Sequence, residues 1–346
     1  MTTNRAQYRE ARAHYLSPKR RDPVKTLMEE VVSHRIFADA VRRLDLAPGQ
    51  ALRVLDLGSG AGDGLRLLTE AHGELSPIAS AHPIEYVGLD ADPDMVDIAN
   101  TLHPGAGVSF QVGDMRDPLP DADFDLYLSC GVPYSHLAAE EVSAVLAGIV
   151  RRIVASRRRA AIIVDVLGRY SIEWAPNWHA QRWNYAMTFF EDTSERLEQP
   201  MTFFDRISLG EVIAEGTRQG GTQPADVGFT DRSVLVGRHT ATKSFNPSIP
   251  PYRTLINELA RGSSVSPRDL YFDPPTSGAP EEVLRFFTTL ATSWNGVLDL
   301  ASSSGRTAVI ESAPALAAEL LRCEAQEQRG LGVGHSLTAT VIVDAS

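Results

Sequence analysis

The clearest signal along the chain is a change of hydrophobic period. From Pro23 to Leu46 apolar residues (Val24, Leu27, Val31, Val32, Ile36, Phe37, Val41, Leu44) recur at helical spacing between Arg, Glu and His, which predicts an amphipathic helix over the first strand. The segment Ala47 to Gln50 breaks it, and Arg53 to Leu57 is a short apolar run ending in glycines. Helices over Gly64 to Glu70, Asp94 to Leu102 and Glu140 to Ser156 then alternate with strands at Ile84 to Leu89, Val108 to Val112, Phe124 to Ser129 and Ala160 to Val166. This alternation predicts an α/β fold with a doubly wound, mainly parallel sheet, whose ligand binds beyond the carboxyl ends of the strands.

Two stretches exceed that minimal plan. Arg169 to Arg206 holds Trp174, Trp178 and Trp183, three of the four tryptophans, and reads as a lid inserted over the site. Beyond Gly237, Asn246 to Pro251 reads as an extended linker. Helices over Tyr252 to Leu259, Glu281 to Trp294 and Ala313 to Gln328, with a strand over Leu337 to Val343, are expected to form a small α+β appendage. The expected organisation is an N-terminal helical cap (1–49), a ligand-binding domain (50–240, with the insertion 169–206) and the appendage (241–346). The chain shows no internal repeat.

Composition narrows the partners. Of 346 residues, 43% are hydrophobic and 22% charged, which is ordinary globular usage. The net charge of -11 repels phosphate backbones and anionic lipid heads, so neither nucleic acid nor a membrane is expected as partner. The basic runs Lys19-Arg20-Arg21 and Arg157-Arg158-Arg159 read as solvated helix faces. Cys130 and Cys323 are the only cysteines, too few for a disulfide framework. With a polar Met1 to Arg12 and no long uncharged apolar run, they make the cytoplasm the expected compartment.

The chemistry concentrates at strand ends. In Val54-Leu55-Asp56-Leu57-Gly58-Ser59-Gly60-Ala61-Gly62-Asp63-Gly64, glycines let the backbone turn tightly against a ligand, and the following helix N-terminus favours a carboxylate or phosphate. A dinucleotide fingerprint requires Gly-x-Gly-x-x-Gly, yet the final position is Asp63 counted from Gly58 and Leu65 counted from Gly60. The acidic Asp56 and Asp63 oppose pyrophosphate and suit a ligand bearing an ammonium and a sulfonium. Asp90, ending Tyr86-Val87-Gly88-Leu89-Asp90, is placed to accept from a ribose diol. In Gly113-Asp114-Met115, Asp114 suits an adenine amino group and Met115 the ring face. Taken singly, each acid reads equally well as a strand-end or helix-cap carboxylate.

Together and in this order, these motifs resemble those of the class I S-adenosylmethionine-dependent methyltransferases over about residues 50 to 240. The resemblance implies a Rossmann-like methyltransferase fold and S-adenosyl-L-methionine as cofactor. It gives Gly58, Gly60 and Gly62 to the methionine part, Asp90 to the ribose and Asp114 to adenine. Asp56, Ser59, Ala91, Met115 and Ser129 complete the expected cofactor set.

The loop after strand four, Ser129-Cys130-Gly131-Val132-Pro133-Tyr134-Ser135-His136-Leu137, resembles that of small-molecule methyltransferases, including glycine-type amine N-methyltransferases. It lacks the Asn/Asp-Pro-Pro-Tyr/Phe signature used for nucleobase or glutamine nitrogens. Asp231 to His239 resembles the final strand region of bacterial methyltransferases that carry C-terminal extensions.

Methyl transfer from a sulfonium needs alignment and exclusion of water, and a base only where the acceptor must lose a proton. His136 and Tyr134 are the expected catalytic residues; alternatively, His136 donates to a carbonyl and only shapes the loop. Asp165, Tyr170, Glu173 and His179 are further candidates. Trp174, Trp178, Trp183, Tyr170 and His179 are expected to line the substrate pocket with Phe189, Phe190, Phe203 and Phe204; the other reading of the rings is a core private to the lid. Tyr8 and Tyr15 either close over the cofactor or belong to a surface helix. No His-Glu-x-x-His pattern or Cys cluster supports a metal. The expected function is methylation of oxygen or nitrogen on a small-molecule metabolite, in secondary metabolism, with a homodimer open. The alternatives are a nicotinamide-dependent oxidoreductase and an inactive cofactor-binding regulator.

Overall fold

A computed structural model describes residues 21–187, 197–237, 245–302 and 312–345. Tyr8, Tyr15, Lys19, Arg20, Phe189 and Phe190 lie outside the described residues.

A π-helical turn, Lys25–Glu29, leads into α1 (Glu30–Arg42). The expected alternation follows: β1 (Leu52–Leu57), α2 (Asp63–Thr69), β2 (Ile84–Asp90), α3 (Pro93–Leu102), β3 (Val108–Val112), β4 (Leu126–Leu128), α4 (Ala139–Ser156) and β5 (Ala160–Gly168). These strands lie side by side in the order β3-β2-β1-β4-β5, every pair parallel. The strand order reverses beside β1, so the ends of β1 and β4 frame the crevice where such sheets bind ligands.

The amphipathic pattern fixes which helix covers which face. Phe37 and Val41 of α1, Leu65 and Leu68 of α2 and Val96 of α3 pack against Val54, Leu126 and Ile163. On the other face Val142, Leu146 and Val150 of α4 meet Leu209 and Ile213 of α5 (Arg206–Gly220) over Leu55, Tyr127 and Val164. β5 is buried at every residue, as a strand covered on both faces must be.

The insertion contributes a hairpin, β6 (Arg182–Met187) and β7 (Leu197–Phe204). Through Leu167↔Phe203 and Gly168↔Phe204, β7 extends the sheet in parallel at the upper end of β5.

The C-terminal stretch departs from its expected role. After β8 (Asp226–Arg232) come α6 (Tyr252–Ala260), α7 (Glu281–Ser302), α8 (Ala313–Gln326) and β9 (Ser336–Val343). Rather than belonging to an appendage, β9 lies inside the main sheet, antiparallel to β5 on one side and to β8 on the other. Its reading Ser-Leu-Thr-Ala-Thr-Val-Ile-Val is apolar enough for burial on both faces, a property that does not reveal the partner strand. Two buried carboxylates tie this return. Asp231 accepts from the backbone N–H groups of Leu331, Gly332, Val333 and Gly334, and Glu324 from those of Val234, Leu235 and Val236.

Helices α6 to α8 share one apolar cluster with Val24, Met28 and the insertion, where Trp178 stacks on Phe287 of α7 at 6.0 Å between ring centroids. No helix among the described residues is long and apolar enough to cross a membrane.

Candidate functional site

β1 delivers its last residues into a turn whose Gly58, Gly60 and Gly62 all take positive φ, a conformation that L side chains resist. At Gly58 the requirement is also steric, because an added Cβ would sit 2.4 Å from the Cβ of Pro133, in the loop after β4. At Gly64 a Cβ would meet the Asp56 carboxylate at 2.2 Å. The turn is thus drawn tight between the acid that precedes it and the loop beside it. Space opens at Gly60, where an added Cβ would meet no atom within 4 Å.

Asp56 is fully buried. Its Oδ2 accepts from the Tyr86 hydroxyl on β2, and its Oδ1 has no hydrogen-bond partner among the described residues. The Ser59 Oγ and the Tyr134 hydroxyl are likewise buried and without partner. Burial raises the Asp56 carboxyl to about 7, with the nearby Asp90 charge adding to the rise and the Tyr86 hydrogen bond opposing it. Tyr134 is pushed well above its ordinary value, first by burial and then by the Asp56 charge. Three buried polar atoms without partners among the described residues therefore lie on the turn and the loop beside it, and each needs a hydrogen-bond partner from outside them.

Asp90 shapes the turn, a task that its strand-end position did not disclose. Its Oδ2 accepts from the Gly60 N–H at 2.8 Å and its Oδ1 from the Asp92 N–H at 2.9 Å, so the carboxylate clamps the turn. Burial raises its pKa. Ala91 follows it, exposed, and Asp92 caps α3 through the Asp94 N–H. Met115 is half-buried, its terminal methyl 3.4 Å from where a Gly58 Cβ would lie.

Two of the expected cofactor residues have partners within the protein. The Asp114 carboxylate pairs with the Arg116 guanidinium, which lowers its pKa, and Arg116 also reaches Glu141. The buried Ser129 hydroxyl donates to the Ile163 carbonyl at 2.9 Å and accepts from the Asp165 N–H at 3.0 Å, bridging β4 to β5.

The loop after β4 turns at Val132, whose φ of 63° and ψ of 35° are left-handed, into a 3-10 turn, Pro133–His136. Ser135 Oγ accepts from the Leu167 N–H at 2.8 Å, and the Leu137 carbonyl from Thr202 Oγ1 on β7 at 2.6 Å. His136 keeps one edge open to solvent and hydrogen-bonds the Gln199 side chain on β7. The atoms packed around its ring nonetheless lower its pKa from the ordinary value.

The tryptophans belong to the apolar cluster of the insertion and α6 to α8, against which Val132 also packs. Trp174 and Trp178 are buried, their indole N–H groups donating to the carbonyls of Gly168 and Ser171 at 3.0 and 2.8 Å. Half-buried Trp183 stacks on Phe203 at 4.5 Å, and Phe203 and Phe204 are fully buried. These rings form a core that joins the insertion to α7, where a substrate wall was expected. Tyr170 is buried with its ring edge to Trp178, while His179 is exposed.

Sequence reasoning missed two constellations. Arg232 pairs with Asp165 at 3.0 Å, and His335 Nδ1 lies 2.6 Å from Glu173 Oε2 at the upper end of β5. Their partners are separated by 67 and 162 residues, so no local motif could announce them.

Comparison with known proteins adds an independent observation. Residues 54–155, which contain the glycine turn, Asp90, Asp114 and the Tyr134 loop, match the family described as "Methyltransferase domain". A fatty-acid O-methyltransferase of Mycolicibacterium smegmatis is 36% identical over 86 residues, which are 25% of this chain and 27% of that relative. The match thus spans about a quarter of the relative's length. Among solved structures, the Haloferax volcanii complex between the Trm112 methyltransferase activator and a methyltransferase aligns at 17% identity and TM-score 0.44, over 98% of this chain and 97% of that one. The S-adenosylmethionine-bound amino pentose methyltransferase of Micromonospora echinaspora aligns at 17% identity and TM-score 0.40, over 67% and 93%.

Proposed function

We propose that this chain, a class I S-adenosylmethionine-dependent methyltransferase, methylates an oxygen or nitrogen of a small molecule held between the glycine turn and the Pro133–His136 loop. The observation that carries the reading is the set of buried, unpartnered polar atoms at the turn: Asp56 Oδ1, Ser59 Oγ and the Tyr134 hydroxyl. A ligand with an ammonium and hydrogen-bonding groups satisfies all three, and the open space at Gly60 gives it room.

S-adenosylmethionine supplies, when bound, an electrophilic methyl group on a sulfonium. The protein's share is to bind, orient and exclude water. Asp56 attracts the ammonium, and Asp90 holds the turn in shape while facing the ribose. Met115 offers an apolar surface for the adenine. His136, neutral at physiological pH because its pKa is lowered, accepts the proton of a hydroxyl or ammonium acceptor at its ring nitrogen. Place in secondary metabolism is consistent with this small-molecule site.

The test is isothermal titration with S-adenosylhomocysteine and, separately, with NAD, followed by a panel of carboxylic acids, phenols and amines scored by mass for one added methyl. Binding of S-adenosylhomocysteine and methylation of one acceptor class are expected. Binding of NAD alone overturns the reading. Cofactor binding with no product across the panel points to a regulator that keeps the fold.

A further inference from the structure

Asp165, on β5, lies beneath the loop that follows β4. Its buried carboxylate is fully subscribed. Oδ2 accepts from the backbone N–H groups of Gly131 and Val132 at 2.9 and 3.2 Å and from Arg232 Nη2 at 3.0 Å, while Oδ1 accepts from Thr338 Oγ1 at 2.9 Å. Four donors leave this carboxylate engaged with the protein on both oxygens.

The two backbone donors fix attention on Val132. It is a β-branched residue in the left-handed region, which chirality and Cβ crowding make costly. The next residue, Pro133, is the one whose Cβ lies against Gly58, and Tyr134 beside it carries the buried hydroxyl without a partner among the described residues. The strained residue therefore sets the direction in which the loop meets the turn. Such strain persists only where the surroundings over-determine it. Here they do so by charge. Arg232 is in turn held by Ser33 of α1 at 2.6 Å and by Ser336 of β9 at 3.1 Å.

We infer that Asp165 is a positioning residue: with Arg232 as its counter-charge, it holds Val132 in the left-handed conformation and so presents Pro133 and Tyr134 to the cofactor turn. The link to the cofactor rests on the methyltransferase reading, whereas the hold on the loop does not.

The experiment compares wild type, Asp165→Asn and the double variant Asp165→Asn/Val132→Gly. Hydrogen exchange is followed in the peptide spanning 129–137, and S-adenosylhomocysteine affinity by titration. Loss of hydrogen bonds to a charged acceptor predicts about tenfold faster exchange in Asp165→Asn and about tenfold weaker binding. In the double variant glycine adopts the positive φ without help, so affinity returns to within about threefold of wild type. Unchanged exchange in Asp165→Asn overturns the inference. So does weakened binding that glycine fails to restore, since Asp165 would then serve only Arg232.

If Asp165→Asn does not fold, the single variant Val132→Gly decides. Because Val132 also packs against the core, the thermal midpoint of this variant is compared with that of Val132→Ala, which loses the packing but keeps a Cβ at positive φ. The glycine variant is expected to be the more stable, and an alanine variant at least as stable means that Val132 carries no strain. If wild type does not bind S-adenosylhomocysteine, the methyltransferase reading fails and the exchange comparison still settles the role of Asp165.

Discussion

Tyr86 donates its hydroxyl hydrogen to Asp56 across the β1–β2 pair, and this bond is what keeps a fully buried carboxylate partly ionised. Burial favours the neutral acid and the hydrogen bond favours the anion, with a balance at about 7. The ionised form attracts a cationic ligand, so S-adenosylhomocysteine affinity is expected to rise as pH increases through about 7. Removing the donor in Tyr86→Phe raises the Asp56 pKa further and moves that rise to higher pH. Titration calorimetry between about pH 5.5 and 8.5 on both proteins checks this. Superimposable pH profiles would show that Asp56 does not face the ligand.

His136 makes a prediction of a different kind, because its neutral form is the useful one. Its pKa lies below the ordinary histidine value, so for an acceptor found in the panel, kcat/KM is expected to climb with pH on the acid side and level off before neutrality. His136→Gln keeps a hydrogen-bonding partner for Gln199, removes the acid limb and lowers kcat by about 10²- to 10⁴-fold. A change confined to KM would make His136 a residue that shapes the loop.

The parts of the fold that were legible are those whose information is local. The pattern around Asp56 to Gly64 announced a turn because glycine spacing is itself the cause of the turn. Pattern also gave β1 to β5 and the helices between them. What stayed hidden depends on contacts between distant segments. Burial of β9 follows from its composition, whereas its seat between β5 and β8 follows from Asp231 and Glu324 gripping backbone nearly a hundred residues away. Asp114 shows the same limit at one residue. It stands at the expected strand end, and its ion pair with Arg116 is a matter of side-chain geometry that the motif does not announce. Asp165 was visible as an acid near the end of β5, but its actual task required knowing that Val132 is left-handed.

Trp178 separates a core residue from a substrate wall. Its ring stacks on Phe287 and its N–H is satisfied by Ser171, so Trp178→Ala leaves a cavity where the insertion meets α7. A loss of about 3 to 5 kcal/mol in unfolding free energy is expected from urea titration. S-adenosylhomocysteine affinity of the fraction that remains folded should stay near wild type. Weaker ligand binding with stability intact would return Trp178 to the pocket.

Glu324 predicts how stability follows pH. Its carboxyl, buried against the amides of Val234, Leu235 and Val236, is raised from 4.5 to about 7 by burial, and the Glu29 charge adds to the rise. In the unfolded chain the group titrates near its ordinary value, so between about pH 4.5 and 7 the folded state holds a proton that the unfolded state has released. The stabilisation is therefore complete below pH 4.5 and disappears as pH rises through about 7. Asp56 acts in the same sense, with a window opening at its ordinary value of 3.8. Glu324→Gln cannot ionise, so the decline of unfolding free energy between pH 5 and pH 8 should be shallower than in wild type by on the order of 3 kcal/mol. Urea titrations of both proteins at the two pH values measure it. Equal slopes would mean that Glu324 is already ionised in the folded protein, with the three amides, rather than burial, setting its charge.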